Sequence, residues 1–239
     1  MRLLPIPISH RTMIRIQSAE EFNRLLDALA NDVVDANIHW RLYRDLHAAF
    51  EKYPLVRIQS QTFWYLTLNA HTFAALQRLC RAFDQNQTSL HLLSWLKTIE
   101  ANLHLFDRAE FKKRLAGNPF VDSLAEDPRV PDLSTLKQDI TLCSDTDPKV
   151  HQLIKYRGSV LAHRNARTTA AGRSLSQELA IPIDDFEDLL LRARTILNRY
   201  SGLFIATSHS VQMVGHDDYR YIFTCVQSAV ERSRDEIGG

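Results

Sequence analysis

The chain has 239 residues, enough for one large domain or two small ones around a substantial buried core. Its 29 basic and 28 acidic residues leave a net charge of +1, which excludes a globally basic nucleic-acid coat but leaves room for a local cationic patch. Only 7 glycines and 8 prolines supply turn chemistry, too little for a many-stranded β protein, so an all-α fold is expected.

Residues 1–17, which include Pro5 and Pro7, read as an extended N-terminal arm or a single strand. Their apolar run is too short and too Pro-broken for the core of a signal peptide. Ser18 and Glu21 make a capping-box pattern, and the stripe Phe22, Leu25, Leu26, Leu29, Val33 follows at helical spacing. The pattern continues through Trp40, Tyr43, Leu46 and Phe50 and stops before Pro54; Asn31-Asp32 interrupts it weakly, leaving one bent helix or two. A second helix fits residues 61–83 and ends at the polar run Asp84-Gln85-Asn86-Gln87. Thr88 or Ser89 is the expected cap of a third, through Leu92, Trp95, Leu96, Ile99 and Leu103. Asp107 and Glu110 form another capping-box pattern ahead of Phe111-Lys112-Lys113-Arg114. Residues 117–132, with three prolines, are a candidate internal boundary within a domain expected to run over residues 18–239.

Residues 133–143 read as a helix. Asp147-Pro148 is then a strong start signal, an N-cap acid followed by proline at the first helical position. The helix it begins carries Val150, Leu153, Ile154, Arg157 and Leu161. Residues 168–172 read as a loop, and residues 173–179 have no clear preference. Pro182 with Asp184-Asp185 launches a helix through Phe186, Leu189, Leu190, Ala193, Ile196, Leu197 and Tyr200, and residues 219–233 form the last one.

Cys80, Cys143 and Cys225 match no zinc or CxxC spacing and read as reduced core residues of a cytosolic protein. No apolar run approaches the roughly 20 residues that cross a bilayer, so a cytoplasmic protein without a membrane partner is expected. His209 and His216, followed by Asp217-Asp218, match no metal-site spacing; His39 and His47 read as surface residues, and His91 and His104 lack partners at useful spacing. Neither a metal nor a cofactor is expected. The aromatic set Trp40, Tyr43, Phe50, Phe63, Trp64, Tyr65 reads as core or dimer interface rather than a platform for bases. Arg108, Lys112, Lys113 and Arg114 form the one local cationic run, read first as a solvated face and second as a contact to RNA backbone.

The most informative stretch is Tyr156-Arg157-Gly158-Ser159-Val160-Leu161-Ala162-His163-Arg164-Asn165. Arginine is a permanent cation suited to phosphate, and histidine exchanges its proton near neutral pH. On a straight helix six positions put the two about 120° apart and about 9 Å along the axis. They converge only if the helix ends or bends near Ala162, or if a second chain brings a second pair close. The bland reading has Arg157 running along the apolar stripe to an acid such as Asp147 or Glu187, with His163 capping the helix end.

In its setting the stretch resembles the Arg-x(4–6)-His signature of the HEPN superfamily. The segments Trp40 to Leu46, residues 90–111 and Leu197-Asn198-Arg199-Tyr200-Ser201 resemble, in order, the blocks of an abortive-infection HEPN family, type U. This resemblance implies a HEPN-like helical bundle with extra N-terminal helices, usually a homodimer whose two motifs face one cleft. It also implies metal-independent RNA cleavage in antiviral or stress defence, in some cases as a toxin held by an antitoxin protein. In that scheme Arg157 and His163 are catalytic, while Tyr156, Arg164 and Asn165 contact the RNA substrate. One departure is Gly158, where active members commonly carry Asn, Asp or His. Two readings follow: an RNA endonuclease or RNA-binding HEPN protein, or a non-catalytic helical module for dimerisation or partner binding.

Overall fold

A computed structural model describes residues 13–162, 169–172 and 174–238, the backbone alone at 162, 237 and 238. Among the described residues every regular element is helical and there is no strand, so the all-α expectation holds. Of the segment read as an extended arm or a single strand, the described part, residues 13–17, forms no strand. There Ile14 instead donates its backbone N–H to Thr98 Oγ1 at 3.0 Å. The remainder of that arm, residues 1–12, lies outside the described residues.

The first helix, α1 (Ala19–Lys52), is a single element of 34 residues. Ser18 Oγ accepts from Glu21 N–H at 3.2 Å, while the Glu21 carboxylate reaches back to Gln17 N–H rather than to the cap residue itself. The Asn31-Asp32 interruption is absorbed because Asp32 is buried against Arg81 of α3 (Gln61–Ala82) at 3.2 Å. Between them lies the short α2 (Pro54–Gln59). The helix α4 (Leu92–Ala101) is capped by His91, not by Thr88 or Ser89. His91 Nδ1 accepts Ser94 N–H at 3.2 Å, and Ser94 Oγ accepts His91 N–H at 3.0 Å.

A 3₁₀ turn, Leu103–Phe106, leads to α5 (Arg108–Arg114), whose N-cap Asp107 makes no side-chain capping bond. The connector before residue 132 holds one helical turn, α6 (Val121–Leu124). Then come α7 (Leu133–Leu142) and α8 (Pro148–Tyr156), begun by Asp132 and Asp147 accepting N–H groups of their first turns. After α8 the chain continues as a π-helix, Arg157–Ala162. The last three are α9 (Leu175–Glu178), α10 (Ile183–Ile205) and α11 (Tyr219–Gly238), the last running beyond the expected residue 233.

The chain divides into two compact units, residues 1–33 with 79–209, and residues 34–78 with 210–239. In the first, the Phe22 ring meets Trp95 at 5.8 Å, Phe106 at 5.8 Å and Phe204 at 4.6 Å, and Trp95 meets Tyr200 at 6.0 Å. Each such ring contributes about 1.5–3 kcal/mol by leaving water. In the second, Phe50, Trp64 and Phe223 pack with Leu46 and Val56 into a separate aromatic core. Thus Phe50 and Trp64 of the aromatic set are core, whereas Phe63 and Tyr65 stand exposed. His39 is not a lone surface histidine: its Nδ1 lies 2.9 Å from Nδ1 of His71, which the sequence reading passed over.

Candidate functional site

The site begins with the ties that place α8. Asp147 Oδ1 accepts the N–H groups of Lys149 and Val150, and its Oδ2 lies 3.0 Å from Arg192 of α10. Arg192 also donates to Leu142 O at 2.8 Å, at the end of α7, and to Asp188 at 2.8 Å. Lys149 bridges Asp185 and Asp188 at 3.0 and 3.2 Å, and those carboxylates hold its ammonium above the usual lysine range. Two helices, α7 and α10, are therefore tied to the start of α8.

At its far end α8 gives way to the π-helix at Arg157, whose N–H still bonds back to Leu153 and Ile154. A π segment spreads the backbone to i→i+5 bonding, and such segments recur at functional positions. Gly158 sits in it with no described atom within 4 Å of where a Cβ would stand, so no close approach requires the glycine. The regular α-helix thus ends at Tyr156, and the π segment runs on to Ala162; His163 lies outside the described residues.

The Arg157 guanidinium donates to Asp84, a residue just past α3, and not to Asp147 or Glu187. Asp147 is already taken by Arg192. Asp84 Oδ1 also accepts the N–H of Gln85 at 2.8 Å and of Asn86 at 3.3 Å, which fixes the turn that receives the arginine. Gln85 in turn donates to Phe83 O and Cys143 O, both at 3.0 Å. The Asp84 side chain is 12% exposed and that of Arg157 41%, so the carboxylate is a buried anchor and the cation is its exposed end. Burial pushes the Cys80 thiol up to about 12, with Arg157 pulling down and Asp84 pushing up, so Cys80 is a neutral core group and no nucleophile.

Of the sequence candidates, Tyr156 and Arg157 fall side by side, Tyr156 half-buried on the last turn of α8. His163, Arg164 and Asn165 lie outside the described residues. The cationic run is largely committed within the chain: Lys112 to Asp122, Lys113 to Glu110, and Arg114 donating to Phe204 O while its guanidinium stacks over the Phe204 ring at 4.0 Å. His91 is fully buried as a cap, and Cys225 is exposed rather than core. Among the described residues no three His, Cys, Asp or Glu side chains are grouped to hold a metal, and no helix is long and apolar enough to cross a membrane.

Sequence reasoning missed Asp84 and Asp139. Asp139, almost fully buried, accepts from Tyr200 Oη at 2.7 Å and pairs with Arg199. Asn198 clasps the backbone of His209 and Ser201 donates to Thr207 O, so residues 198–201 form a structural knot. The only signal for either acid was its position: Asp84 opens the polar run that ends α3, and Asp139 interrupts an apolar face of α7.

The all-helical fold, with Arg157 where α8 passes into a π segment, is consistent with the HEPN class that its sequence resembles. The chain belongs to the HEPN family AbiU2, abortive infection type U, whose model matches residues 19–222. No curated protein and no solved structure matches it.

Proposed function

We propose that this protein is a metal-independent RNA endonuclease, or an RNA-binding relative, acting as a homodimer in phage or stress defence. The observation that carries the reading is the anchored, outward-facing Arg157 guanidinium at the end of α8. A fixed cation with an exposed end suits a phosphoryl group, because stabilising charge developing on phosphoryl oxygens requires donors that do not reorganise.

The chemistry implied by the family likeness uses the RNA's own 2′-hydroxyl. That oxygen attacks the adjacent phosphorus and gives its proton to His163, while Arg157 meets the charge growing on the non-bridging oxygens. The bond from phosphorus to the 5′-oxygen breaks, and a protonated histidine returns a proton to the leaving oxygen. The products are a 2′,3′-cyclic phosphate and a 5′-hydroxyl. Tyr156, Arg164 and Asn165 serve as contacts to the substrate.

The test is incubation of the purified chain with total RNA in EDTA. Cleavage that survives EDTA and is lost in both Arg157→Ala and His163→Ala supports the endonuclease; no cleavage of any RNA sinks it. The second reading, a non-catalytic module, draws support from the same ion pair, since Asp84 already neutralises Arg157. It expects RNA or partner binding that His163→Ala leaves intact.

A further inference from the structure

The helix α3 is apolar on two opposite faces, and only one of them is occupied. Trp64, Ala75 and Leu79 are buried, with Leu68, His71 and Thr72 half-buried beside them. On the other side Phe63, Leu66 and Phe73 are 60%, 59% and 53% exposed, and Ala70 is exposed between them. At about 100° per residue, positions 63, 66, 70 and 73 fall within about 80° of one another, nearly opposite the buried face. Their 3-4-3 spacing is that of a coiled-coil seam.

The exposed face is also uncharged. Residues 61–77 contain no Asp, Glu, Lys or Arg; Gln61, Thr62, Tyr65, Asn69 and Gln77 are the other exposed residues of this stretch. Surface helices carry charge on the solvent side, and a helix apolar all round is normally covered. An uncharged seam imposes no like-charge repulsion on a copy of itself.

We infer that this face is a self-association surface, in which α3 packs antiparallel on α3 of a second copy about a two-fold axis near residue 68. The argument for a second copy is self-complementarity. In that register position 63 meets 73 of the other copy, and 66 meets 70. Ring therefore faces ring, and the larger leucine faces the small alanine, and by symmetry the same contacts recur on the other side. The seam from 63 to 73 spans roughly 15 Å, which supplies only part of the roughly 800 Å² per partner of a standard interface. The association is accordingly weak and concentration-dependent.

The surface lies in the unit formed by residues 34–78 and 210–239, whereas Arg157 belongs to the other, so the inference stands apart from the proposed RNA chemistry. It is tested on the full chain by sedimentation from about 1 to about 200 μM and by oxidative cross-linking of Leu66→Cys/Ala70→Cys in a Cys225→Ser background. Expected are a mass that rises with concentration and a 66-to-70 cross-link between copies. Phe63→Glu/Phe73→Glu should weaken association at least about tenfold by opposing like charges. Phe63→Glu/Phe73→Lys should retain it, because each introduced carboxylate then faces an introduced ammonium. All these positions are exposed, so the fold is not at stake. A monomer throughout, a dimer without the 66-to-70 cross-link, or equal weakening by both charge variants would overturn the inference. A dimer formed at the Arg157 site gives mass without that cross-link, so the two readings fail separately.

Discussion

Arg157 and Asp84, 73 residues apart in sequence, form one ion pair in which the acid is buried and the base is exposed. The asymmetry decides what each does. Asp84 satisfies two backbone N–H groups besides the guanidinium and closes the turn after α3. Arg157 loses little if the pair breaks, because its free end reaches water.

Removing the two partners should therefore differ in cost. Asp84→Ala is expected to destabilise by about 2 kcal/mol, since it orphans N–H groups as well as the cation. Arg157→Ala should cost about 1 kcal/mol or less, since exposed ion pairs contribute little. Urea denaturation of both variants measures the difference; equal costs would show that the pair serves the fold alone. In the RNA assay Asp84→Asn should lower the cleavage rate constant about tenfold by letting the arginine wander, with the substrate affinity less affected.

Acid should weaken the fold through His91. Its Nδ1 accepts Ser94 N–H, so Nε2 carries the proton and donates to Asn86 O at 3.1 Å. Burial holds its pKa below the ordinary 6.5, so the unfolded chain binds the proton more readily. Stability is full above about pH 6.5 and falls as pH drops below it. Thermal melts between pH 7.5 and 5 should show that decline, and His91→Asn, which keeps a capping oxygen, should flatten it. An unchanged slope in the variant would shift the effect to His71, whose pKa burial and His39 also lower.

Gly158→Ala should stabilise the chain or leave it unchanged, by up to about 1 kcal/mol, because the helical glycine is entropically costly. No described atom obstructs the added methyl. A large loss of stability would show that the π segment needs glycine's freedom. Unchanged stability with altered RNA cleavage would show that the freedom serves the site.

The knot around Asp139 should behave as a unit. Tyr200→Phe removes one hydrogen bond and should cost about 1 kcal/mol. Asp139→Ala leaves both the buried Tyr200 hydroxyl and Arg199 without their acceptor, and should cost about 3–4 kcal/mol. A double-mutant cycle by chemical denaturation reads the coupling between them. Additive costs would mean that the Tyr200 hydroxyl gains nothing from Asp139.

The elements most legible in the sequence were those governed by local rules. The 3.6-residue stripes of Phe22 to Phe50 and of Phe186 to Tyr200, and the Asp147-Pro148 start, depend on backbone bonds within a few residues. Caps were less legible: His91 captured α4 because burial selected a side chain that also bonds Asn86, where Thr88 and Ser89 looked chemically better.

The sequence by itself determined that this chain is all-helical, where its long helices lie, and that it belongs among HEPN proteins. Only the tertiary structure decided which acid holds Arg157. Asp147 lies nearer in sequence but had been taken by Arg192, while Asp84 arrived from the end of α3. It likewise joined His39 to His71 and left one apolar face of α3 uncovered. Helical periodicity is encoded within a few residues, whereas charge pairing and burial depend on which helices pack together, and that is fixed only when the whole chain folds.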